Sequence, residues 1–191
     1  RSRRDADVVI QGYPDPGDGL RLHLNENTGG CSPRVLDAIR GLRETDISTY
    51  PSYRSLVVAC AQHFGVDPDW ILLTNGLDEG ILMAAIGHIS RQGLRDAEVI
   101  VPTPAFDPYP NSAMAAGATI VRVPAEADLS FPTARVIQAI TPRTKIVFLN
   151  TPNNPTGRLI PLEDLERIAV AARHAVRSEE HTSELQSRGL I

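Results

Sequence analysis

The stretch that decides the reading runs from Lys145 to Gly157: Lys145-Ile146-Val147-Phe148-Leu149-Asn150-Thr151-Pro152-Asn153-Asn154-Pro155-Thr156-Gly157. After Lys145 it is apolar and rich in β-branched and aromatic side chains, the composition of a strand covered on both faces. The next eight residues carry three asparagines, two prolines and a glycine. Proline fixes φ and asparagine bonds back to nearby main chain, so the strand runs into a stiff loop that projects amide groups from its carboxyl end. The prolines also favour cis peptides here. A bland Asn/Pro/Gly turn is the competing reading, although so dense a run is more constraint than a turn needs.

Working outward, short apolar runs alternate with helical patterns, as in an α/β protein with a mainly parallel sheet. Strands are expected at Trp70–Thr74, Glu98–Val101, Thr119–Val123 and Lys145–Leu149. Ser32-Pro33 opens a helix with an N-cap and a first-turn proline, and Val35, Leu36, Ile39 and Leu42 follow at helical spacing. Further helices are expected over Ser52–Phe64, ending at Gly65, from Asn75-Gly76 to about Ile89, over Asn111–Ala116, over Thr133–Ile140, and from Pro161 through Leu162, Leu165, Ile168 and Ala169. Asp128–Pro132 reads as a connecting loop. Residues 1–45 differ, being rich in Gly, Asn and Pro, and read as an arm or a small-domain segment; 46–176 read as the main α/β body.

Composition narrows the function. The chain has 191 residues, 42% of them hydrophobic, and a net charge of −4. That is apolar content for one ordinary core, without the clustered positive charge that nucleic acid or an anionic membrane surface requires. No apolar run reaches membrane-spanning length, and the start lacks the apolar stretch of a secretory signal. Cys31 and Cys60 form neither a disulfide framework nor a metal-ligand pair, so a reducing, cytoplasmic setting is expected. His23, His63, His88, His174 and His181 lack metal-ligand spacing, and no metal site is expected. Of the 19 basic residues a single one, Lys145, is lysine.

The end of the chain breaks the pattern. Where a further buried strand is due, Arg177–Ser187 reads RSEEHTSELQS, which resembles the in-frame translation of a common DNA-sequencing adapter; a natural solvated C-terminal tail is the alternative. Residues 177–191 are therefore expected to lie outside the fold.

Two more places could carry chemistry. Leu72–Gly80, LLTNGLDEG, joins a strand to a helix start, where unpaired N–H groups and the positive end of the helix dipole suit a phosphate; a plain Asn-Gly turn is the alternative. Asp78-Glu79 there, and Glu163-Asp164 after Pro161, are explained by the dipole alone. Val101–Tyr109, VPTPAFDPY, leaves the carboxyl end of a strand, where ligands of open α/β sheets collect and an aromatic ring can stack on a planar one. Equally, Phe106 and Tyr109 could simply cover a helix end.

With NNPTG preceded by a strand, the chain resembles the class I/II aminotransferases, pyridoxal-phosphate enzymes of fold type I. Leu24–Asn27 (LNEN), SPRVLDAI, Thr49–Pro51 (TYP), NGLDE and PAFDPY make it similar to the histidinol-phosphate-aminotransferase-like branch, over about residues 20–175. The resemblance implies a three-layer α/β/α fold, here incomplete, and transfer of an amino group between an amino acid and a 2-oxo acid in a homodimer. It implies that Asn154 donates to the phenolic oxygen of pyridoxal 5′-phosphate, that Phe106 stacks on its ring, and that the N–H groups of Leu77 and Asp78 cradle its phosphate. Tyr50 resembles the tyrosine that reaches the phosphate of the neighbouring subunit, and Asn25 and Gly29 fall on the substrate side. Thr28-Gly29-Gly30 stands where relatives often carry Pro-Tyr-Gly, which leaves open histidinol phosphate or a related amino acid as substrate.

The family's Schiff-base lysine and the aspartate facing the ring nitrogen match nothing in this sequence. Lys145 begins the strand that ends at Asn150, five residues and ~16 Å from the site edge at the rise of a strand. No catalytic residue is therefore assigned, and the chain is expected to be a fragment, inactive as written. A threonine-phosphate decarboxylase-like lyase of the same fold, or a non-catalytic α/β phosphate-binding module, would share these motifs.

Overall fold

Strands β1 (Glu98–Thr103), β2 (Thr119–Pro124), β3 (Thr144–Asn150) and β4 (Val176–Glu180) form one parallel sheet in the order β2-β1-β3-β4. They belong to a computed structural model that describes residues 25–27, 29–89 and 96–180, the last five by backbone alone. Helices precede and join the strands: α1 (Pro33–Arg40), α2 (Glu44–Ser48), α3 (Arg54–Phe64), α4 (Gly76–Ile89), α5 (Pro108–Ala115), α6 (Thr133–Ala139) and α7 (Leu162–Ala171). The chain divides into two units between Gly41 and Leu42, so α1 belongs to the first and everything from α2 onward to the second.

The apolar runs of β1 and β3 are explained by burial on both faces. Val99, Val101, Ile146 and Phe148 pack under Ile81, Ala85 and Ile89 of α4 and under Tyr109 and Ala113 of α5. The alternate residues Ile100, Val147 and Leu149 face the other way, onto Val136 of α6 and Ile168 of α7. Val99, Ile100, Ile146 and Val147 are all 0% exposed, so each contributes roughly 1.5–3 kcal/mol of hydrophobic stabilisation. Helix layers on both sides of a parallel sheet make the three-layer α/β/α arrangement expected from the alternation of patterns.

Local signals act as read. Ser32 Oγ accepts from Arg34 N at 3.3 Å, and Gly41 N donates to Asp37 O at 3.0 Å to close α1. Gly65, at φ 67°, ends α3 in the left-handed region where glycine costs least.

Two expectations need correction, and one helix is new. Trp70–Thr74 forms no strand: Pro68–Trp70 is a 3-10 turn capped by Asp67, and residues 71–74 run on without a ladder. An apolar segment becomes a strand only beside a partner, and the sheet order sets none next to it, leaving Trp70 81% and Leu72 67% exposed. Helix α2 has no apolar period to announce it. It is closed instead by Asp46, which accepts from the backbone N–H of Arg43 at 3.0 Å and from its guanidinium at 2.8 Å. Finally, residues 177–180 continue β4 from Val176, pairing Ile146 with Val176 through to Asn150 with Glu180. The free edge of β3 offers backbone donors and acceptors that any extended segment can meet, whatever its side chains. The rest of the polar stretch, 181–191, and residues 1–24 lie outside the described residues.

The amino ends of the strands are tied by a buried carboxylate. Glu98, only 8% exposed, accepts from Thr141 Oγ1 at 2.5 Å and from the Arg143 guanidinium, while its own N–H donates to Arg143 O at 3.0 Å. The His174 ring bonds Thr141 O at 2.8 Å, bringing the end of α7 to the same point. At the other end, the β2–α6 connection turns on Asp128, whose carboxylate accepts from Ser130 N at 3.0 Å and Ser130 Oγ at 2.6 Å. Arg158 donates to Asp128 O at 2.9 Å.

Two outcomes follow. Arg143→Ala strips a charged partner from a carboxylate that stays buried, so urea unfolding should register a loss of about 1–3 kcal/mol; no loss would mean that Glu98 is held by Thr141 alone. The Ser130 hydroxyl and then its N–H, with a smaller favourable charge from Arg158, hold the Asp128 carboxyl below the usual range. A depressed folded value means stability that is present above the ordinary 3.8 and lost as pH falls through the lower folded value. A carboxyl NMR titration should find Asp128 below that figure and Ser130→Ala should return it upward.

Candidate functional site

The site is built where β1 and β3 part. β1 stays paired to β2 as far as Thr103 with Pro124, but its pairing with β3 ends at Ile100 with Val147. From β1 the chain crosses by α5 to β2 on one side, and from β2 by α6 to β3 on the other. A constant crossover hand then demands that α5 lie on one face and α6 and α7 on the opposite one, as they do. The parting of β1 and β3 is therefore a topological switch point, the place where open α/β sheets form a ligand crevice outside the carboxyl ends of their strands.

Two segments line that edge. The first, after β1, carries Phe106, whose ring meets the edge of Tyr109 at 5.8 Å and 79°. Tyr109 is 1% exposed and stacks on Phe148 of β3 at 4.6 Å and 26°, so the half-buried Phe106 leans on rings fixed in the core. Thr103–Pro104 is cis, as are Thr151–Pro152 and Asn154–Pro155.

The second segment is the loop after β3, and it is closed by its own bonds. Asn153 N donates to Arg158 O at 2.8 Å, and Gly157 N to Asn153 O at 2.7 Å. Ile160 N reaches the buried Thr151 Oγ1 at 2.9 Å. With its amide turned so that nitrogen faces carbonyl, Asn150 donates to Pro152 O at 3.0 Å and accepts from Asn154 N at 2.8 Å, an orientation assigned from this network. Asn154 is thus fixed through its main chain, while its half-buried side-chain amide makes no hydrogen bond to any described residue. The fold positions that amide and leaves it unused, free to donate to an oxygen of a ligand.

A third part comes from α4. Gly76, at φ 75°, makes the sharp turn into the helix, and Thr74 Oγ1 donates to its carbonyl at 2.8 Å. Leu77 packs against the same core cluster as Phe106, which brings the helix start to the site's side of the sheet. The first-turn N–H groups, those of Leu77 and Asp78 included, lack intrahelical acceptors and suit an anion. Glu79 is spent on capping: its carboxylate accepts from the backbone N–H and the amide of Asn75.

Tyr50, between α2 and α3, is fully exposed (103%). Asn25, at φ 53°, and Gly29, whose N–H donates to Asn27 Oδ1 at 3.1 Å, belong to the first unit. Lys145 is the second residue of β3, at the opposite end of the strand from Asn150 and the loop that bears Asn154. Beside the site, a cleft lined by Thr103, Asn150, Asn153, Phe131, Arg158 and Leu159 separates the loops after β1, β2 and β3. Asn153 was missed in the sequence, although the doubled Asn153-Asn154 was the signal that could have raised it. Among the described residues no helix is long and apolar enough to cross a membrane.

Known proteins share this fold. A family model described as aminotransferase class I and II matches residues 17–177. A histidinol-phosphate aminotransferase of Methanococcoides burtonii is 33% identical over 190 residues, 98% of this chain and 52% of the relative. Another, of Rhodospirillum centenum, is 37% identical over 78% of this chain and 40% of its own length. A solved Thermus thermophilus aspartate aminotransferase, a single mutant, superposes with a TM-score of 0.68 at 30% identity, over 78% of this chain and 42% of that one. The chain thus spans about half the length of the curated relatives it matches. With a family match along most of its length and the fold to go with it, the chain belongs to the class I and II aminotransferases, a pyridoxal-phosphate-dependent family.

Proposed function

We propose that this protein serves pyridoxal-phosphate-dependent transfer of an amino group between an amino acid and a 2-oxo acid. The observation that carries the reading is the half-buried Asn154, whose main chain is bonded at the switch point and whose side-chain amide has no hydrogen-bond partner among the described residues. An uncommitted donor, an aromatic ring packed on the core and a helix start on the same side of the sheet as that ring make a set that suits a planar, phosphorylated ring with an anionic oxygen. Bound there, pyridoxal phosphate supplies an electron-withdrawing ring that makes the amino acid's α-proton removable.

In this reading each residue has one task. Asn154 donates to the ring oxygen and holds its negative charge; Phe106 covers one face of the ring and excludes water; the N–H groups of Leu77 and Asp78 bind the phosphate. Tyr50 gives its hydroxyl to the phosphate of a second copy of the chain, for which its full exposure leaves it free. Ile47, Tyr53 and Leu56, 74%, 60% and 51% exposed, flank it with apolar surface that a homodimer would cover. The sequence resemblance assigns Asn25 and Gly29 to the substrate. The substrate class is histidinol phosphate or a related amino acid, a choice supported by the two relatives named above. A cytoplasmic setting agrees with the unpaired thiols of Cys31 and Cys60.

The test is a titration of the chain with pyridoxal 5′-phosphate, followed by absorbance. Saturable binding is expected, with Asn154→Ala and Phe106→Leu each about tenfold weaker, the worth of one charge-assisted hydrogen bond or one stacked ring. Equal affinity in wild type and both variants, or no saturable binding, overturns the assignment.

A further inference from the structure

We propose that Asn153 is the positioning residue that holds Phe106 in register with Asn154, an inference that rests on the cofactor site proposed above. β1 and β3 separate after Ile100 and Val147, so the segment bearing Phe106 and the loop bearing Asn154 leave the sheet with no ladder between them. Something must fix their spacing if one planar group is to meet both. Asn153 Nδ2 donates to Pro104 O at 3.2 Å, two residues before Phe106. The same amide donates to Thr156 Oγ1 at 2.9 Å, and the main chain of Asn153 is bonded to Arg158 and Gly157. Of these bonds only the one to Pro104 leaves the loop.

The chemistry explains the residue type. Pro104 has no N–H, so its carbonyl is the one main-chain hydrogen-bonding group that the residue itself offers. Bridging that carbonyl and a threonine hydroxyl takes two hydrogens on one planar nitrogen, which asparagine supplies. A serine would reach one of them, and an aspartate would set a carboxylate against the Pro104 carbonyl. Asn153 touches neither ring nor substrate; it acts through Phe106.

The decisive comparison uses Asn153→Asp, which keeps the shape and removes both donors, beside Asn153→Ala and Thr156→Val. Without any cofactor, amide exchange at Tyr109 reports on the segment, because Tyr109 N donates to Phe106 O at 3.2 Å. Both Asn153 variants should speed exchange at Tyr109 about fivefold to tenfold while Val99 to Val101 stay protected, and Thr156→Val, which spares the Pro104 bond, should not. With pyridoxal 5′-phosphate as probe, Asn153→Asp should weaken binding by a similar factor, and by much less in the Phe106→Leu background. Unchanged exchange at Tyr109, or equal losses in both backgrounds, overturns the proposal. So does loss of cooperative melting in both Asn153 variants, since a positioning residue is dispensable to the fold. If wild type takes up no cofactor, the site assignment fails on its own, and the exchange contrast decides whether Asn153 holds Phe106.

Discussion

Two parallel strands that agree at their amino ends and disagree at their carboxyl ends organise this molecule. β1 and β3 share a ladder only as far as Ile100 and Val147, and the crossovers on either side of them run in opposite directions. Because parallel sheets need helices on both faces, that reversal sends α5 to one face and α6 and α7 to the other. The crevice is a by-product of how the sheet is covered.

Those segments are stiffened in different ways. The one after β1 leans on a stack of rings whose inner member, Phe148, belongs to β3, so the hydrophobic core reaches the site through Tyr109. The loop after β3 holds itself by main-chain bonds among its own residues, leaving one amide unspent. Precision on one side comes from packing and on the other from hydrogen bonds. A planar ligand gripped between them would feel both.

Much of this was legible in the sequence, for reasons that can be named. Strands buried on both faces spell themselves as unbroken runs such as Ile146–Leu149, and Ser32-Pro33 and Gly65 mark helix ends because their backbone chemistry suits nothing else as well. Turn residues and aromatics gathered at strand ends drew attention to the segments bearing Phe106 and Asn154, while the roles of those two residues came from the resemblance alone. The failures were non-local. Trp70–Thr74 has the composition of a strand but no neighbour, and residues 177–180 have a neighbour but not the composition. A ladder belongs to two segments, and neither spells it alone. Glu98 with Arg143, and Asn153 with Pro104, are separated by 45 and 49 residues, a distance at which no period or spacing speaks.

The Glu98 cluster has a consequence for how such a chain can change. It fastens β1, the approach to β3 and the end of α7 at the edge farthest from Asn154. Cohesion is thereby lodged at one rim of the sheet and the proposed cofactor site at the other. Substitutions at the carboxyl rim then draw little on the cohesion of the opposite one. A lineage built on this plan can vary the loops at the carboxyl rim while the far rim stays as it is, so divergence there need not wait for compensating changes in the scaffold.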